Sequence, residues 1–245
     1  MRKIMSKYQK LLSNISLEIS KLPEGRLVKK NACYYQAIGR KETGITGQDK
    51  LIQALCRKRF LLEFKKIIEF MLSLSLSQLH DYKMPTPEEI VALLPKSYQK
   101  VPKSYFYHPR VEAWLGGSKK QLFNREEGKF RGKNGVFFRS KSEFMIAAIL
   151  DAHDVLYRYE MPMKMGGRWI YPDFVIINPY TGKEIIWEHF GALHLPEYEE
   201  KMKEKMKFYL NSGKIPFEDV IYTFEFDLET NNRLESLVQD ILTAI

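Results

Sequence analysis

The chain has 245 residues, of which 44% are hydrophobic and 28% are charged, a composition typical of a folded protein with one large or two modest cores. No apolar run reaches the roughly 20 residues of a membrane span, and the basic N-terminus has no continuous apolar signal core, so we expect a cytoplasmic protein without a membrane partner. Cys33 and Cys56 stand far apart with no CxxC motif and no Cys/His cluster, which favours reduced structural thiols over a zinc site.

The charge of the chain is divided between a basic front and an acidic rear. Up to Ser140 there are 28 Lys and Arg against 12 Asp and Glu, and from Lys141 onward there are 11 against 18. A basic part joined to an acidic part suits a polyanion that the one holds and the other acts on. We therefore expect nucleic acid as the partner, while a basic surface without a specific partner stays open as the alternative.

Residues 1–95 predict a mostly helical, basic region with a small β-hairpin. Apolar residues recur at helical spacing from Arg2 to Ser20, and Pro23 ends that helix. Short strands are predicted at 26–30 and 32–38, where the tyrosines can contact nucleic acid or pack inward.

Two further helices are predicted in this region. The first has an apolar stripe from Leu51 to Met71, and its Arg57-Lys58-Arg59 run is typical of a solvated face. Thr86 and Glu89 form a predicted capping box that opens the second helix, which reaches about Leu94.

Residues 96–138 predict a basic linker, because prolines, paired glycines and scattered cations interrupt any periodic pattern. This segment is the most cationic approach to the C-terminal domain, which we place at 139–245. Its cations include Lys119, Lys120, Arg125, Lys129, Arg131 and Lys133.

A second capping box, Ser140 with Glu143, opens the C-terminal domain. Glu143 lies over Ala147 and Leu150 on the inward face of its helix, where a solvated Glu would not be expected. Glu143 can therefore act as a helix cap, as a residue of a functional site, or as both. The later elements are predicted as a strand at 155–161 that turns at 166–167, a central hairpin, a helix at 197–211, a strand at 219–226 and a helix at 228–245.

The central hairpin, residues 171–191, carries two carboxylates. Its two β-branched and aromatic runs are apolar on both faces, so the hairpin is expected to be buried in a core. If Ile177 pairs with Glu184, the same register sets Asp173 opposite Glu188, with Cβ atoms about 5 Å apart. Two buried carboxylates repel each other and resist desolvation, so they are expected to take up a proton or to recruit a cation, for which a hard divalent metal ion is suited.

One lysine of the predicted helix at 197–211 lies in an apolar stripe. At about 100° per residue, Lys205 falls close to Tyr198, Met202 and Tyr209. Such a lysine can snorkel along the helix edge or reach into a site beneath the helix.

Pro172-Asp173, a turn, and Glu188 at the close of a hydrophobic strand resemble the PD-(D/E)xK phosphodiesterases, the restriction-endonuclease-like superfamily. The surrounding 140–143 (Ser-Lys-Ser-Glu) and 188–191 (Glu-His-Phe-Gly) are similar to a branch found in bacterial and phage-borne proteins, and to nuclease modules attached to some helicases. The resemblance is firm over roughly residues 139–228. It implies an α/β (α+β) fold whose core has the order αβββαβ.

The resemblance implies a metal-dependent site. It assigns Asp173, Glu188 and the first-helix Glu143 to Mg²⁺, with Mn²⁺ as a substitute. The third motif of the superfamily ends Glu-x-Lys, and Phe190 stands at the lysine position of this chain. We expect Lys205 to replace that lysine, because the spacing of Tyr198, Lys205 and Tyr209 resembles the pattern of the bacterial and phage-borne branch.

The remaining candidates surround that site. His189 faces away from Glu188 on its strand, and His194 lies in the loop that leaves the site; these two and Tyr209 are candidates for contacting the metal ligands. The residues expected to bind nucleic acid are Arg139, Lys141, Lys119, Lys120, Arg131, Lys133 and Tyr198.

The function that the resemblance implies is Mg²⁺-dependent endonucleolytic hydrolysis of phosphodiester bonds in DNA, with the basic front holding the nucleic acid. A catalytically inactive nuclease fold that binds nucleic acid is the alternative, and the missing strand lysine argues for it. A two-carboxylate glycosidase fits the pair of acids but not the basic front. DNA against RNA, substrate topology and oligomeric state, a homodimer included, stay open.

Overall fold

The structure is a computed structural model that describes residues 2–74, 78, 82, 85–117, 128–192, 195–229 and 233–238. Helices and several small sheets alternate along the chain, which confirms the α+β class. The chain divides into two compact units, residues 1–108 and 109–245, with the boundary inside the segment that the sequence presents as a linker. No helix in these ranges is long and apolar enough to cross a membrane.

The N-terminal unit combines helices with a three-stranded antiparallel sheet. Its elements are α1 Arg2–Lys21, β1 Arg26–Lys30, β2 Cys33–Ile38, β3 Lys41–Gly44, α2 Asp49–Ser73, α3 Pro87–Ala92 and α4 Lys96–Gln99. The predicted helices and the β1–β2 hairpin are confirmed, and so is the capping box of Thr86 and Glu89. β3 was not predicted from the sequence, because Lys41–Gly44 is short, polar and exposed.

Arg57 lies inside the N-terminal unit, so the predicted solvated face is wrong for this residue, which is only 3% exposed. Its guanidinium donates to both carboxylate oxygens of Glu18, at 2.7 and 3.0 Å, and to the Phe106 carbonyl oxygen at 2.9 Å. The planar fork of an arginine matches a carboxylate bidentately, and that match allows this cation to be buried.

The predicted linker is partly helical. It contains α4, a 3₁₀ turn at Lys103–Phe106 and α5 at Pro109–Gly116. Pro95, Pro102 and Pro109 stand at the starts of these three elements. Proline lacks a backbone N–H, but the first N–H groups of a helix have no partner within the helix, so proline is tolerated there. These prolines therefore begin helical elements, whereas the sequence pattern predicted an irregular linker.

The C-terminal unit is built on a four-stranded sheet. Its elements are β4 Phe130–Arg131, β5 Phe137–Phe138, α6 Lys141–Ala152, β6 Tyr157–Tyr159, β7 Met163–Met165, β8 Arg168–Ile170, β9 Phe174–Ile177, β10 Glu184–Phe190, α7 Pro196–Asn211, β11 Val220–Phe224 and α8 Glu225–Leu228. The strand order is β11-β10-β9-β6. β10 runs antiparallel to β9 and parallel to β11. Residues 233–238 are helical, within the predicted closing helix.

Apolar side chains cover both faces of this sheet, as predicted for the central hairpin. One face joins the inward side of α6 in a cluster that includes Phe174, Ile176, Ile185, Trp187, Ile146, Ala147 and Leu150. The other face joins α7 in a cluster that includes Ile186, Phe190, Val220, Tyr222 and Tyr209. The strand ends that carry the candidate carboxylates are therefore held between two layers of packed side chains.

The register of the central hairpin is the predicted one, since Ile177 pairs with Glu184. The segment before it differs from the prediction, because Gly166 and Gly167 join β7 and β8 into a hairpin of their own. Both glycines have positive φ, 55° and 79°, which suits the tight turns of two-residue hairpin loops. The first core strand is also shorter than predicted and ends before Glu160, whose φ is 47°.

Arg57→Ala should lower the free energy of unfolding of the N-terminal unit by about 3 kcal/mol, because it leaves a carboxylate and a buried carbonyl without their donor. Arg59→Ala is the matched control on the same helix, since the ion pair that Arg59 makes among the described residues is a 3.3 Å contact with Glu63, and this variant should lose less than about 1 kcal/mol. Urea unfolding followed by far-ultraviolet circular dichroism measures both. Equal losses in the two variants would contradict the structural role of the buried pair.

Candidate active site

Three carboxylates stand side by side across the four-stranded sheet. Asp173 precedes β9, and the register of β9 with β10 sets it opposite Glu188. Glu160 follows β6, and its backbone N–H donates to the Asp173 carbonyl oxygen at 3.0 Å. On the other side Tyr222 of β11 pairs with Glu188. Paired residues of neighbouring strands occupy the same level of a sheet, so Glu160, Asp173, Glu188 and Tyr222 form one row.

Side chains continue the hydrogen bonding of the central hairpin where its backbone ladder ends. The backbone N–H of His189 donates to Asp173 Oδ2 at 2.7 Å. The backbone N–H of Asp173 donates to Glu188 Oε2 at 3.3 Å. Each carboxylate is therefore tied to the strand of the other, which fixes the pair in place.

Glu188 has no solvent exposure and receives two side-chain donors from a single helix, in addition to the backbone N–H of Asp173. Lys205 Nζ donates to Glu188 Oε2 at 2.5 Å, and the Tyr209 hydroxyl donates to Glu188 Oε1. Lys205 and Tyr209 are one turn apart on α7, so both point from the same face. The structure thus brings together Glu188, Lys205 and Tyr209, with Asp173 opposite Glu188.

The charges of these groups affect one another through a poorly solvated space. Burial and the neighbouring Glu188 charge raise the pKa of Asp173 to about 7. Burial lowers the pKa of Lys205, but the Glu188 and Asp173 charges outweigh burial and raise it overall. Burial and Glu188 also raise the pKa of Tyr209. At neutral pH Asp173 is therefore partly protonated, Lys205 is cationic and Tyr209 is a neutral donor.

Glu143 acts as the cap of α6. Its Oε2 accepts hydrogen bonds from the Tyr159 hydroxyl at 2.6 Å, from the Ser140 backbone N–H at 3.0 Å and from the Arg139 backbone N–H at 3.2 Å. The predicted capping box with Ser140 is confirmed. The Glu143 charge also raises the pKa of Asp173, although less than burial and Glu188 do, so this cap lies at the same end of the sheet as the row of acids.

Glu160 is the residue that sequence reasoning missed. It is 6% exposed and forms an ion pair with the Arg139 guanidinium. Burial raises the pKa of Glu160 to about 7 against the lowering effect of Arg139. The sequence does contain a signal for this residue, because Glu160 comes at the end of the first core strand and Asp173 comes just before the strand that pairs with it. Arg139, assigned to nucleic acid from the sequence, instead contacts this acid, with half of its side chain still exposed.

His189 packs behind the row, on the face of β10 opposite Glu188. Its Nδ1 lies 3.1 Å from Thr223 Oγ1, which also accepts from the Trp187 indole N–H at 2.8 Å. Its Nε2 lies 3.4 Å from Glu225 Oε2. A Cβ at Gly191 would lie 2.9 Å from that Glu225 oxygen, so the glycine after Phe190 leaves room for this contact.

Phe190 stands at the position of β10 where the sequence resemblance leads us to expect a lysine. Its ring stacks on Tyr222, with ring centroids 5.9 Å apart, in the cluster under α7. The Tyr222 hydroxyl is buried and has no hydrogen-bond partner among the described residues. The strand therefore supplies aromatic packing at this position, and the cation comes from α7.

The structure describes four of the other residues assigned to nucleic acid. Lys141 is exposed at the start of α6, and Tyr198 is half-buried against the cluster under α7. Arg131 and Lys133 are exposed at a cavity of about 390 Å³ that is bounded by α6. The predicted contacts of Lys119, Lys120 and His194 lie outside the described residues.

Asp173 and Glu188 supply the oxygen donors that a hard divalent cation prefers, and both Glu188 oxygens already accept from Lys205 and Tyr209. Oδ1 of Asp173 receives no hydrogen bond from the described part of the chain, and the partnerless Tyr222 hydroxyl lies next to Glu188 in the row. Mg²⁺ is commonly held by one or two carboxylates and keeps several waters. The described ranges contain no group of three or more His, Cys, Asp or Glu side chains that could hold a metal ion. The fit is therefore to two carboxylates, and Glu143, which the resemblance assigns to the metal, is not part of it.

Comparison with protein-family models, with curated proteins and with solved structures finds no match for this chain.

Tyr209→Phe should lower the free energy of unfolding of the C-terminal unit by about 2 kcal/mol, because it removes a hydrogen bond to a buried carboxylate. Tyr222→Phe is the matched control, since it removes a buried hydroxyl without a described partner and should be neutral or slightly stabilising. Tryptophan fluorescence during urea unfolding measures both, because Trp114, Trp169 and Trp187 all lie in this unit. A larger loss in Tyr222→Phe than in Tyr209→Phe would contradict the assigned contacts.

Asp173→Asn should stabilise the protein more at pH 8 than at pH 5. The pKa of Asp173 in the folded state is about 7, above its ordinary value of 3.8. Between pH 3.8 and pH 7 the folded state therefore keeps a proton that the unfolded state has lost. The free energy of unfolding falls as the pH rises through this window. Asparagine removes that penalty, which is on the order of 2 to 4 kcal/mol above pH 7. The measurement is urea unfolding of both proteins with a chelator present.

Asp219→Asn provides the control for the pH series. Burial raises the pKa of Asp219, but the Ile215 N–H and Lys183 outweigh burial and lower it overall. The contribution of Asp219 to stability is therefore complete at pH 5 and unchanged at pH 8. A stabilisation by Asp173→Asn that is equal at the two pH values would exclude the raised pKa.

Proposed function

We propose that this protein is a metal-dependent deoxyribonuclease of the PD-(D/E)xK type, an endonuclease that hydrolyses phosphodiester bonds. The observation that carries the proposal is the buried Asp173–Glu188 pair at the end of two core strands, with the Lys205 ammonium 2.5 Å from Glu188. Two carboxylates can hold a metal ion and a nearby cation can stabilise negative charge on a phosphoryl group, and these are the groups that the sequence resemblance implies.

The arrangement of the C-terminal unit supports a restriction-endonuclease-like core. The order α6, β6, β9, β10, α7, β11 corresponds to αβββαβ, and the β7–β8 hairpin is an addition between its first two strands. The candidate acids lie at the ends of β6, β9 and β10, where loops meet the sheet. Ends of core strands are where rigid elements can present reacting groups to a ligand outside the fold.

Asp173 and Glu188 would hold Mg²⁺ in this proposal, with Mn²⁺ as a substitute. Such an ion, when bound, polarises a phosphoryl oxygen and lowers the pKa of a bound water. The protein supplies orientation, because each carboxylate is tied to the strand of the other and Tyr209 fixes the second oxygen of Glu188. It also supplies the exclusion of water, since Glu188 is fully buried.

Lys205 would act as a fixed positive charge. Its raised pKa keeps the ammonium protonated at neutral pH, so stabilisation of negative charge on the phosphoryl group fits it better than removal of a proton from water. The basic front of the chain, with 28 Lys and Arg up to Ser140, would hold the polyanion by contacts with its phosphates.

The decisive assay is incubation with Mg²⁺ or Mn²⁺ on plasmid, linear, single-stranded and branched DNA and on RNA. Asp173→Ala should abolish cleavage, and Lys205→Ala should reduce its rate by about 100-fold or more. Lys203→Ala is the control on the same helix, because the partners of Lys203 among the described residues are Glu199 and Glu200 at the surface, and it should keep the full rate. Cleavage that survives in Asp173→Ala would reject the assigned site.

Isothermal titration with Mg²⁺ separates the nuclease from its alternative, a metal-free nucleic-acid-binding protein with a nuclease fold. The nuclease should bind the ion, and Asp173→Asn should lose that binding while keeping its fold, because asparagine can still accept from the His189 N–H. DNA binding without any ion binding or cleavage would favour the alternative. The observation that favours this alternative is that β10 has Phe190 where the resemblance leads us to expect a lysine.

A further inference from the structure

The β7–β8 hairpin has an inner face that attaches it to α7. Met163, Met165 and Ile170 pack against the cluster that contains Phe190 and Tyr222. The Arg168 guanidinium lies 3.7 Å from the centre of the Phe208 ring of α7, a cation–π contact. These contacts hold the hairpin in place without using its outer side chains.

The outer face of this hairpin is aromatic and basic. Lys164 and Trp169 are directly opposite each other in the register, and both are exposed, Trp169 by 61%. Tyr171, two residues after Trp169, is 49% exposed. Within the described part of the chain neither ring makes a ring contact. Large exposed aromatic side chains that are not needed for packing indicate a contact surface.

This surface leads directly to the row of acids. Tyr171 is two residues before Asp173, so their Cα atoms are at most about 7 Å apart. The segment 161–171 contains Lys164 and Arg168 and no Asp or Glu, in contrast to the acidic row that follows it. A polyanion that reaches Asp173 along this path meets a cationic surface with flat rings before it meets the carboxylates.

We propose that the outer face of the β7–β8 hairpin binds an unpaired strand of nucleic acid, stacks its bases on Trp169 and Tyr171, and places a phosphate at Lys164. Base faces are accessible to protein rings only where the strand is single or locally unpaired, and stacking on aromatic side chains is tolerant of sequence. The substrate class that this surface selects is therefore a single-stranded polynucleotide or the unpaired segment of a larger one. The identity of the reaction rests on the proposed function, whereas the binding does not.

Trp169 supplies a direct readout of this binding. Trp187 is fully buried and Trp114 is covered by the Arg158 guanidinium at 4.2 Å, so Trp169 is the tryptophan most accessible to a base. The probes are oligothymidylate, oligouridylate and a blunt DNA duplex, added to the full chain carrying Asp173→Asn in the presence of a chelator, so that no cleavage takes place. We expect the oligonucleotide to quench the fluorescence and the duplex to leave it nearly unchanged. Comparison of the thymidine and uridine probes separates DNA from RNA.

Substitutions at the surface test its role in affinity. Trp169→Ala should weaken binding of oligothymidylate about tenfold in fluorescence anisotropy, because one stacked base is lost, and should change duplex binding by less than about twofold. Trp169→Phe should lose the quenching while keeping most of the affinity. Phe217→Ala is the matched control, since Phe217 is an aromatic side chain in the loop before β11 that is 73% exposed, and it should leave all affinities unchanged.

The outcomes separate this proposal from the nuclease itself. Cleavage that depends on Asp173, with no quenching and no preference for single strands, would overturn the hairpin surface and keep the nuclease. Quenching, together with a tenfold loss of oligothymidylate affinity in Trp169→Ala but no cleavage, would support the binding surface and reject the nuclease proposal. The binding surface would also be rejected if Trp169→Ala lost equal affinity for single strands and for the duplex. The same holds if Phe217→Ala weakened binding as much as Trp169→Ala does.

Discussion

A carboxylate without solvent exposure has to be paired, and the pairing of Glu188 with Lys205 and Tyr209 organises the C-terminal unit. Removing one partner of a buried ion pair costs several kcal/mol, so α7 must dock on the sheet for β10 to fold as it does. The same contact fixes which face of β10 lies under α7. The packing of Phe190 and Tyr222 follows from that choice.

The row of acids holds more negative charge than its neighbours compensate. Glu160 is opposed by Arg139 and Glu188 by Lys205. Lys205 also lowers the pKa of the third acid, Asp173, but Asp173 forms no ion pair of its own among the described residues. Three acids against two cations explain why the excess appears as raised pKa values at Asp173 and Glu160. A proton or a small cation can relieve such an excess, and only the cation leaves both central carboxylates charged.

Much of this arrangement could be predicted from the sequence because it depends on local and periodic information. The period of two along β9 and β10 sets the register, and the register alone brings Asp173 opposite Glu188. The helical period sets Lys205 beside Tyr209. The capping box of Ser140 and Glu143 is a four-residue pattern that needs no tertiary context.

The features that could not be predicted depend on long-range partners. Glu160 joins the row only because β6 pairs with β9, and a three-residue strand gives no register signal of its own. Arg57 is buried because Glu18, 39 residues earlier, reaches it. The β7–β8 hairpin carries Met, Lys, Arg and Trp in a pattern that suggests neither a buried strand nor a solvated one, and its placement follows from its packing beneath α7.

The position of the lysine has a consequence for how this protein tolerates change. In a Glu-x-Lys strand the cation and the carboxylate are two residues apart on one backbone. Here Lys205 reaches Glu188 from α7, whose position depends on the packing of its own Met202, Met206 and Tyr209 against the sheet. A substitution beneath that helix can shift the ammonium relative to Glu188 without touching either group. The packing of the core and the geometry of the Lys205–Glu188 pair are therefore coupled in this fold, and an apolar replacement beneath α7 that preserves stability can still change that geometry.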